Sequence, residues 1–341
     1  MITAREDTST FAAFMDERAR ILDYMARHLQ ETVGETPGFL AKTSEYVLST
    51  PGKLLRPLLL LDACRAAGGD PERVIPAAAG TEFGHIASLV HDDIIDGDST
   101  RRGQATLHVK HGLAAAILTG DLLIFQTFLT YTQCHDRGVS AEHVLAAIRT
   151  LSTTCIEMCQ GQALEATIAG QLDTTEQTYL RMISLKTANV CRAAARIGAL
   201  LAGGSEQAVD ALGRYGDNLG MAFQIIDDIL SYEGSAPLVG KALSSDVRNR
   251  RVTLPVIYAL QSEPPQVRER ISALFTAQTG DGTQAHAELV QILTAAGALD
   301  RARALASRFT AKAKQQLDLL PDSDSRERLR ALADMFFSRD H

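Results

Sequence analysis

The stretch Leu89–Gly103, LVHDDIIDGDSTRRG, constrains this chain more than any other. It sets Asp92, Asp93 and Asp96 at the end of an apolar helical run that breaks at Gly97. On a helix, Asp92 and Asp96 stand at i and i+4 and leave one face, roughly 5–6 Å apart. Two such charges about 4 Å apart at an effective dielectric near 20 repel by roughly 4 kcal/mol, so a cation belongs between them. Oxygen ligands without Cys or His favour Mg²⁺, which keeps several waters and shares its shell with substrate phosphates. Arg101 and Arg102 follow, suited to a bidentate grip on phosphate oxygens.

A helix end with an acidic last turn and a basic loop would read much the same. A second stretch separates the two readings. FQIIDDILS, Phe223–Ser231, places Gln224, Asp227, Asp228 and Ser231 at i, i+3, i+4 and i+7, one polar stripe on an apolar helix. Burying uncompensated carboxylates in that way costs several kcal/mol each. Two such stripes in one chain point to a site for diphosphate and metal.

Strand patterns are nearly absent elsewhere, whereas helical periodicity recurs from Phe11 to the C-terminus. A first helix stops at Gly34, and a short one over Phe39–Leu48 ends at Thr50-Pro51-Gly52. GKLLRP then offers Lys53 and Arg56 at i, i+3, with Pro57 in a first helical turn. The helix entering the first Asp motif carries Gly80, Gly84 and Ser88 above Asp92, with Ala87 beside them and His85 further round. An apolar helix over Leu113–Tyr131 is interrupted at Gly120-Asp121. Ser140 and Thr174 or Thr175 are N-cap candidates, and Gly203-Gly204-Ser205 opens the helix of the second Asp motif. No linker or repeat divides the 341 residues, so the expectation is one all-α domain over 1–341.

The 45% apolar content supports a sizeable core, and a net charge of −7 argues against binding nucleic acid or an anionic membrane surface. Five cysteines without a signal peptide point to a reducing, cytoplasmic setting, with Cys155 and Cys159 read as core. No apolar run approaches the ~18 residues of a membrane span.

The ordered motifs resemble those of the trans-prenyl diphosphate synthases, an all-α family. The resemblance runs from GKLLRP to the C-terminal helix and includes DDIIDGDSTRRG, Gly161-Gln162, Lys186-Thr187, FQIIDD and Gly240-Lys241. It implies an isoprenoid-synthase bundle with a central cavity, in which Asp92, Asp93, Asp96, Asp227 and Asp228 face one another around three Mg²⁺ ions. Arg101, Lys186 and Lys241 would draw the diphosphate from an allylic substrate. Lys53, Arg56, His85 and Arg102 would hold isopentenyl diphosphate, and Thr187 and Gln224 would shield the allylic cation. Three departures from the pattern stand at Ser231, Ser244 and Arg250-Arg251. A homodimer is expected from the resemblance. Two other readings share these motifs: a class I terpene cyclase, which needs no isopentenyl site, and a non-catalytic subunit of a heteromeric synthase. In the family, the residues four and five before the first Asp floor the product tunnel. Here they are the small Ser88 and Ala87, with Gly84 and Gly80 deeper, so a floor would come from Phe125 or Phe128. The implied product has twenty or more carbons.

Overall fold

A computed structural model describes residues 4–33, 38–233, 246, 249–262, 264–276 and 283–337. Fifteen α-helices and one π-helical turn cover most of the described residues, and the only strands among them are β1 (Thr100–Arg101) and β2 (Gln104–Ala105), a two-residue hairpin. The helices are α1 (Ala4–Val33), α2 (Phe39–Leu48), α3 (Leu55–Ala66), α4 (Ile75–Asp96), α5 (Leu107–His111), α6 (Leu113–Asp136), α7 (Ala141–Ile168) and α8 (Glu176–Ile183). After the π turn Ser184–Ala188 come α9 (Asn189–Leu201), α10 (Glu206–Glu233), α11 (Leu254–Ser262), α12 (Pro265–Thr276), α13 (Thr283–Ala295), α14 (Ala298–Leu317) and α15 (Asp324–Phe337). Hydroxyl caps start several of them. Ser140 Oγ accepts from His143 N, Thr175 Oγ1 from Thr178 N, and Ser205 Oγ from Ala208 N, each satisfying an orphan donor of the first turn.

The chain divides into two compact units. The first holds residues 1–151, 193–213 and 317–331. Within it α4 lies chiefly against α6. Gly80 and Gly84 make that approach close. A side chain at Gly80 would collide with Thr130 and Tyr131, and one at Gly84 would come 3.3 Å from Thr127 Oγ1. α6 runs unbroken through Gly120-Asp121, contrary to the break expected from sequence; the glycine there makes room for the His91 ring, which fills the space that a Cβ would need. The same helix corrects another expectation. Among the described residues α6 alone is long and apolar enough to cross a membrane, with hydropathy 1.6. Ala116, Leu123, Thr127 and Tyr131 are buried along it, so it serves as a core helix of this unit. Cys159, expected in the core, is exposed, and Cys155 is half-buried.

A closed ring of charge ties three helices of the first unit. Arg65 of α3 donates to Asp62 at 2.8 Å and to Glu17 of α1 at 2.6 Å. Arg328 of α15 donates to the same two carboxylates at 2.8 and 2.9 Å, with its guanidinium 4.6 Å from the centre of the Phe14 ring.

The second unit holds residues 152–192, 214–316 and 332–341. Its core joins Tyr179 and Ile183 to Ile225, Ile226 and Ile229 of α10, and to Leu254, Ile257, Ile271, Leu289 and Leu293 of the later helices.

Candidate active site

In the first unit the site begins where α4 ends. Gly97 takes the left-handed conformation at φ 64° and its N–H bonds back to the Asp93 and Ile94 carbonyls, closing the helix. The hairpin turns at Arg102 and Gly103, both at positive φ (50° and 77°), the combination a tight turn between short antiparallel strands requires. That turn sends its two arginines to different partners. Arg101 folds back on Asp93, with Nε 2.8 and 3.0 Å from the two carboxylate oxygens and Nη2 2.5 Å from Oδ1. Arg102 donates through Nη1 to the Thr50 carbonyl at 2.8 Å, and a Cβ on Gly52 would come 2.8 Å from its Nη2. Asp92 and Asp96 share one half-buried face of α4, while Asp93 lies a step of 100° round the helix and is only 5% exposed.

GKLLRP enters α3 through Leu54, held left-handed at φ 53°. Such a conformation in a non-glycine residue costs of order 1–3 kcal/mol and collects at functional sites. Lys53 is exposed, while Arg56 donates through Nη1 to His85 Nε2 at 3.3 Å. Because guanidinium only donates, Nε2 is the acceptor and the imidazole proton sits on Nδ1. Burial of the ring, and then the charges of Arg56, Arg102 and Arg101, hold the His85 pKa well below the usual imidazole range. Beneath this group Glu82, 3% exposed, is pushed up by burial and drawn back down by Arg56, Arg102 and Arg18. Sequence reading passed over Glu82, although a carboxylate three residues before His85 on an apolar helix was the available signal.

A depressed histidine pKa makes the folded state bind fewer protons than the unfolded one. Stability from His85 is therefore full above the unfolded value near 6.5 and is lost as pH falls below it. Urea midpoints of the wild type should drop more steeply between about pH 6.5 and 5 than those of His85→Gln. Parallel profiles would show that the ring titrates normally.

In the second unit, α10 carries Gln224, Asp227 and Asp228. Asp228 Oδ1 accepts from Gln224 Nε2 at 2.7 Å and Oδ2 from the Tyr179 hydroxyl at 2.6 Å, while Gln224 Oε1 accepts from the Thr187 hydroxyl at 2.8 Å. Burial, then the charge of Asp246, pushes the Asp228 carboxyl up to about 7. Asp227 is exposed. Lys186 and Thr187 sit in the π turn, a widened turn common at functional sites. Gly161 permits it, since a Cβ there would come 2.5 Å from the Lys186 backbone nitrogen. Lys186 Nζ bonds Glu165 at 2.5 Å, and Arg251 reaches the same Glu165 at 3.7 Å and Asp246 at 3.3 Å. Tyr179, Glu165 and Asp246 were not picked out from the sequence. Ser231 Oγ turns back to the Asp227 carbonyl at 3.3 Å. Arg250 is left-handed at φ 51° and packs on Gly170. Lys241 and Ser244 lie outside the described residues.

Phe125 is 70% exposed and Phe128 half-buried; the residues that meet Gly80 and Gly84 are Thr127, Thr130 and Tyr131. Phe125 therefore does not floor a groove within this chain. Among the described residues no three His, Cys, Asp or Glu side chains converge as a protein-only metal cage. One or two carboxylates completed by water and phosphate oxygens is the arrangement that suits Mg²⁺, so the donor set fits that ion.

Within the first unit, the acidic end of α4 with Arg101, and the neutral imidazole of His85 with Arg56 and Arg102 charged about it, are groups suited to diphosphate esters. Residues 37–293 match the family model described as Polyprenyl synthetase, and the chain belongs to that family of prenyltransferase enzymes. It is 36% identical to the "Short chain isoprenyl diphosphate synthase" of Methanothermobacter thermautotrophicus, over 96% of this chain and 99% of that protein. It is 37% identical to the geranylgeranyl diphosphate synthase of Methanosarcina mazei, over 89% and 91% of the two chains. A polyprenyl synthase from Caulobacter crescentus, solved in complex with calcium and isoprenyl diphosphate, superposes with a TM-score of 0.88 at 31% identity over 97% of each chain.

Proposed function

We propose that this enzyme condenses isopentenyl diphosphate with an allylic diphosphate, with Mg²⁺ as its ion and three ions in play, to give a trans-polyprenyl diphosphate of at least twenty carbons. The observation that carries this reading is the cationic group of Arg56, Arg102 and Arg101 around a neutral His85, on the helix that ends in the first Asp motif. A cyclase, which ionises one diphosphate only, has no use for it.

Asp92, Asp96 and Asp227 would hold the metal, which supplies Lewis-acid stabilisation of the departing diphosphate. Arg101 and Lys186 add fixed positive charge there, so the allylic C–O bond breaks toward preorganised cations. Lys53, Arg56 and Arg102 grip the second diphosphate, and His85 Nδ1–H is left to donate. The hydroxyl of Thr187 donates to Gln224, which leaves its oxygen lone pairs to stabilise the allylic carbon as it becomes electron-poor. The isopentenyl double bond then forms the new C–C bond, and the freed diphosphate takes the proton. No side-chain base is required.

Incubation with Mg²⁺, labelled isopentenyl diphosphate and allylic primers, followed by product sizing, tests the reading. Hydrocarbon released without isopentenyl uptake would make the protein a cyclase. Turnover only after a second protein is added would make it a subunit.

Product length is read from α4. Ala87 is already packed in the core, while Ser88 is half-buried with only its hydroxyl tied, to the His85 carbonyl. Each buried CH₂ of the growing chain contributes roughly 0.8 kcal/mol, so growth continues until something bulky stops it. Ser88→Phe is expected to shorten the product by at least one isoprene unit in a folded enzyme. An unchanged distribution would place the tunnel elsewhere.

A homodimer is part of the same proposal. Leu113, Ile117, Leu118, Phe125 and Leu129 stand exposed along one side of α6, an apolar surface of the kind that marks a protein interface. Sedimentation should give a dimer, and Phe125→Asp a folded monomer. A monomeric wild type would remove the claim.

A further inference from the structure

Helix α1 brings one more guanidinium to the cationic group of the first unit. Arg18 is half-buried, and its Nε donates to the Gly52 carbonyl at 3.3 Å. Arg102 holds the same loop through the Thr50 carbonyl at 2.8 Å. The approach to Lys53 and to left-handed Leu54 is thus clamped by two arginines far apart in sequence. A loop carbonyl needs only a donor, and an amide would serve. The charge of Arg18 has a further partner. Burial pushes the Glu82 carboxyl up, and Arg56, Arg102 and Arg18, in that order, draw it down. One carboxylate does not balance three guanidinium groups. Arg102 registers the surplus: burial lowers its pKa, Glu82 works against that, and Arg101 and Arg56 add to the lowering by repulsion. Positive charge crowded in this way, partly out of water and beside a neutral imidazole, is relieved by an anion with several acceptor oxygens.

The neighbouring residue sets the register that delivers Arg18. Glu17 accepts from Arg65 and Arg328 at 2.6 and 2.9 Å, which fixes α1 against α3 and α15. Arg18 is turned by roughly 100° from Glu17, away from that ring of charge and onto the Gly52 loop. α1 precedes residues 37–293, the stretch matched by the family model, so that pattern does not account for Arg18.

We infer that Arg18 is a further binding residue for the diphosphate of isopentenyl diphosphate, supplied by α1 to the group of Arg56, Arg102 and His85. Its Nε holds the loop, and its Nη groups carry the remaining N–H donors toward phosphate oxygens. The inference rests on the proposed condensation and deepens it by assigning the N-terminal helix a part in gripping the second substrate.

The test uses the full-length protein and two readouts. One is calorimetric titration with isopentenyl diphosphate alone in EDTA, since guanidinium and imidazole donors need no metal; the other is the KM of each substrate with Mg²⁺. Arg18→Met should weaken isopentenyl diphosphate binding about tenfold and raise its KM to match, with kcat and the allylic KM within about twofold of wild type. Arg18→Lys keeps the charge but loses the planar fork, and should fall between, at about threefold. Arg27→Met removes the same charge from an exposed pair with Asp23 on the same helix, and should stay within about twofold. Binding by folded Arg18→Met within twofold of wild type would overturn the inference. So would equal rises in both KM values, which would make Arg18 a scaffold residue. If the wild type takes up no isopentenyl diphosphate, or Arg56→Met binds it as the wild type does, the reading of the second-substrate site fails as well. Should Arg18→Met not fold, Arg18→Lys decides: a raised KM for isopentenyl diphosphate alone supports the inference, and equal changes in both refute it.

Discussion

Turnover by Asp92→Ala and by Asp227→Ala is expected to fall about a thousandfold each, roughly 4 kcal/mol of lost transition-state stabilisation, with the fold intact. The size follows from what the reaction needs. Breaking an allylic C–O bond leaves a diphosphate whose new charge must be met by fixed positive charge, and in the proposed reaction each of these carboxylates would hold part of it. The intact fold follows from position: Asp227 is exposed and Asp92 half-buried, so neither fills a core site. Single-turnover assays at saturating Mg²⁺, with far-UV circular dichroism as the folding control, give the comparison. Near-normal activity in either variant would sink the metal assignment.

The largest loss of stability is expected from Arg328→Met. Asp62 is 0% exposed, and it and Glu17 share Arg65 and Arg328 as their charge partners. Removing one partner from a buried ionic cluster costs about 3–5 kcal/mol, because a charge is left uncompensated away from water. The loss should depend on pH. Burial pushes the Asp62 carboxyl up to about 6, and Arg328 is the foremost influence holding it down. A carboxylate whose folded pKa is raised contributes stability that is full below its unfolded value near 3.8 and is lost as pH rises through 6. Without Arg328 that rise steepens. The deficit against wild type should be greatest above pH 6 and shrink toward pH 4. Denaturant unfolding at the two pH values measures it, and a deficit below about 1 kcal/mol at pH 7 would mean the ring is no more than a surface ion pair.

Much of this was legible in the chain, for identifiable reasons. The helix faces of Asp92 with Asp96, and of Gln224 with Asp227, follow from local spacing, and so do the caps at Ser140, Thr175 and Ser205. What escaped depends on partners distant in sequence. Tyr179 meets Asp228 across 49 residues, and Lys186 meets Glu165 across 21. The hairpin strands are two residues each, too short for any alternation to show, so the folding of Arg101 onto Asp93 had no local signal. Gly120 looked like a helix breaker because only the folded chain brings His91 against it. Phe125 looked like a tunnel floor because hydrophobicity alone does not say which side of α6 turns inward.

The π turn at Ser184–Ala188 amounts to one residue added to an otherwise regular helical path from α8 into α9. Deleting a single residue there should give a straighter and intrinsically more stable helix, yet it would swing everything before the deletion by about 100° relative to everything after it. Lys186 would lose Glu165, or Thr187 would lose Gln224, since one rotation cannot preserve both. In the history of such a chain, the ancestral step would then be an insertion kept despite its cost, and a relative of one residue less at this point should have surrendered one of the two contacts.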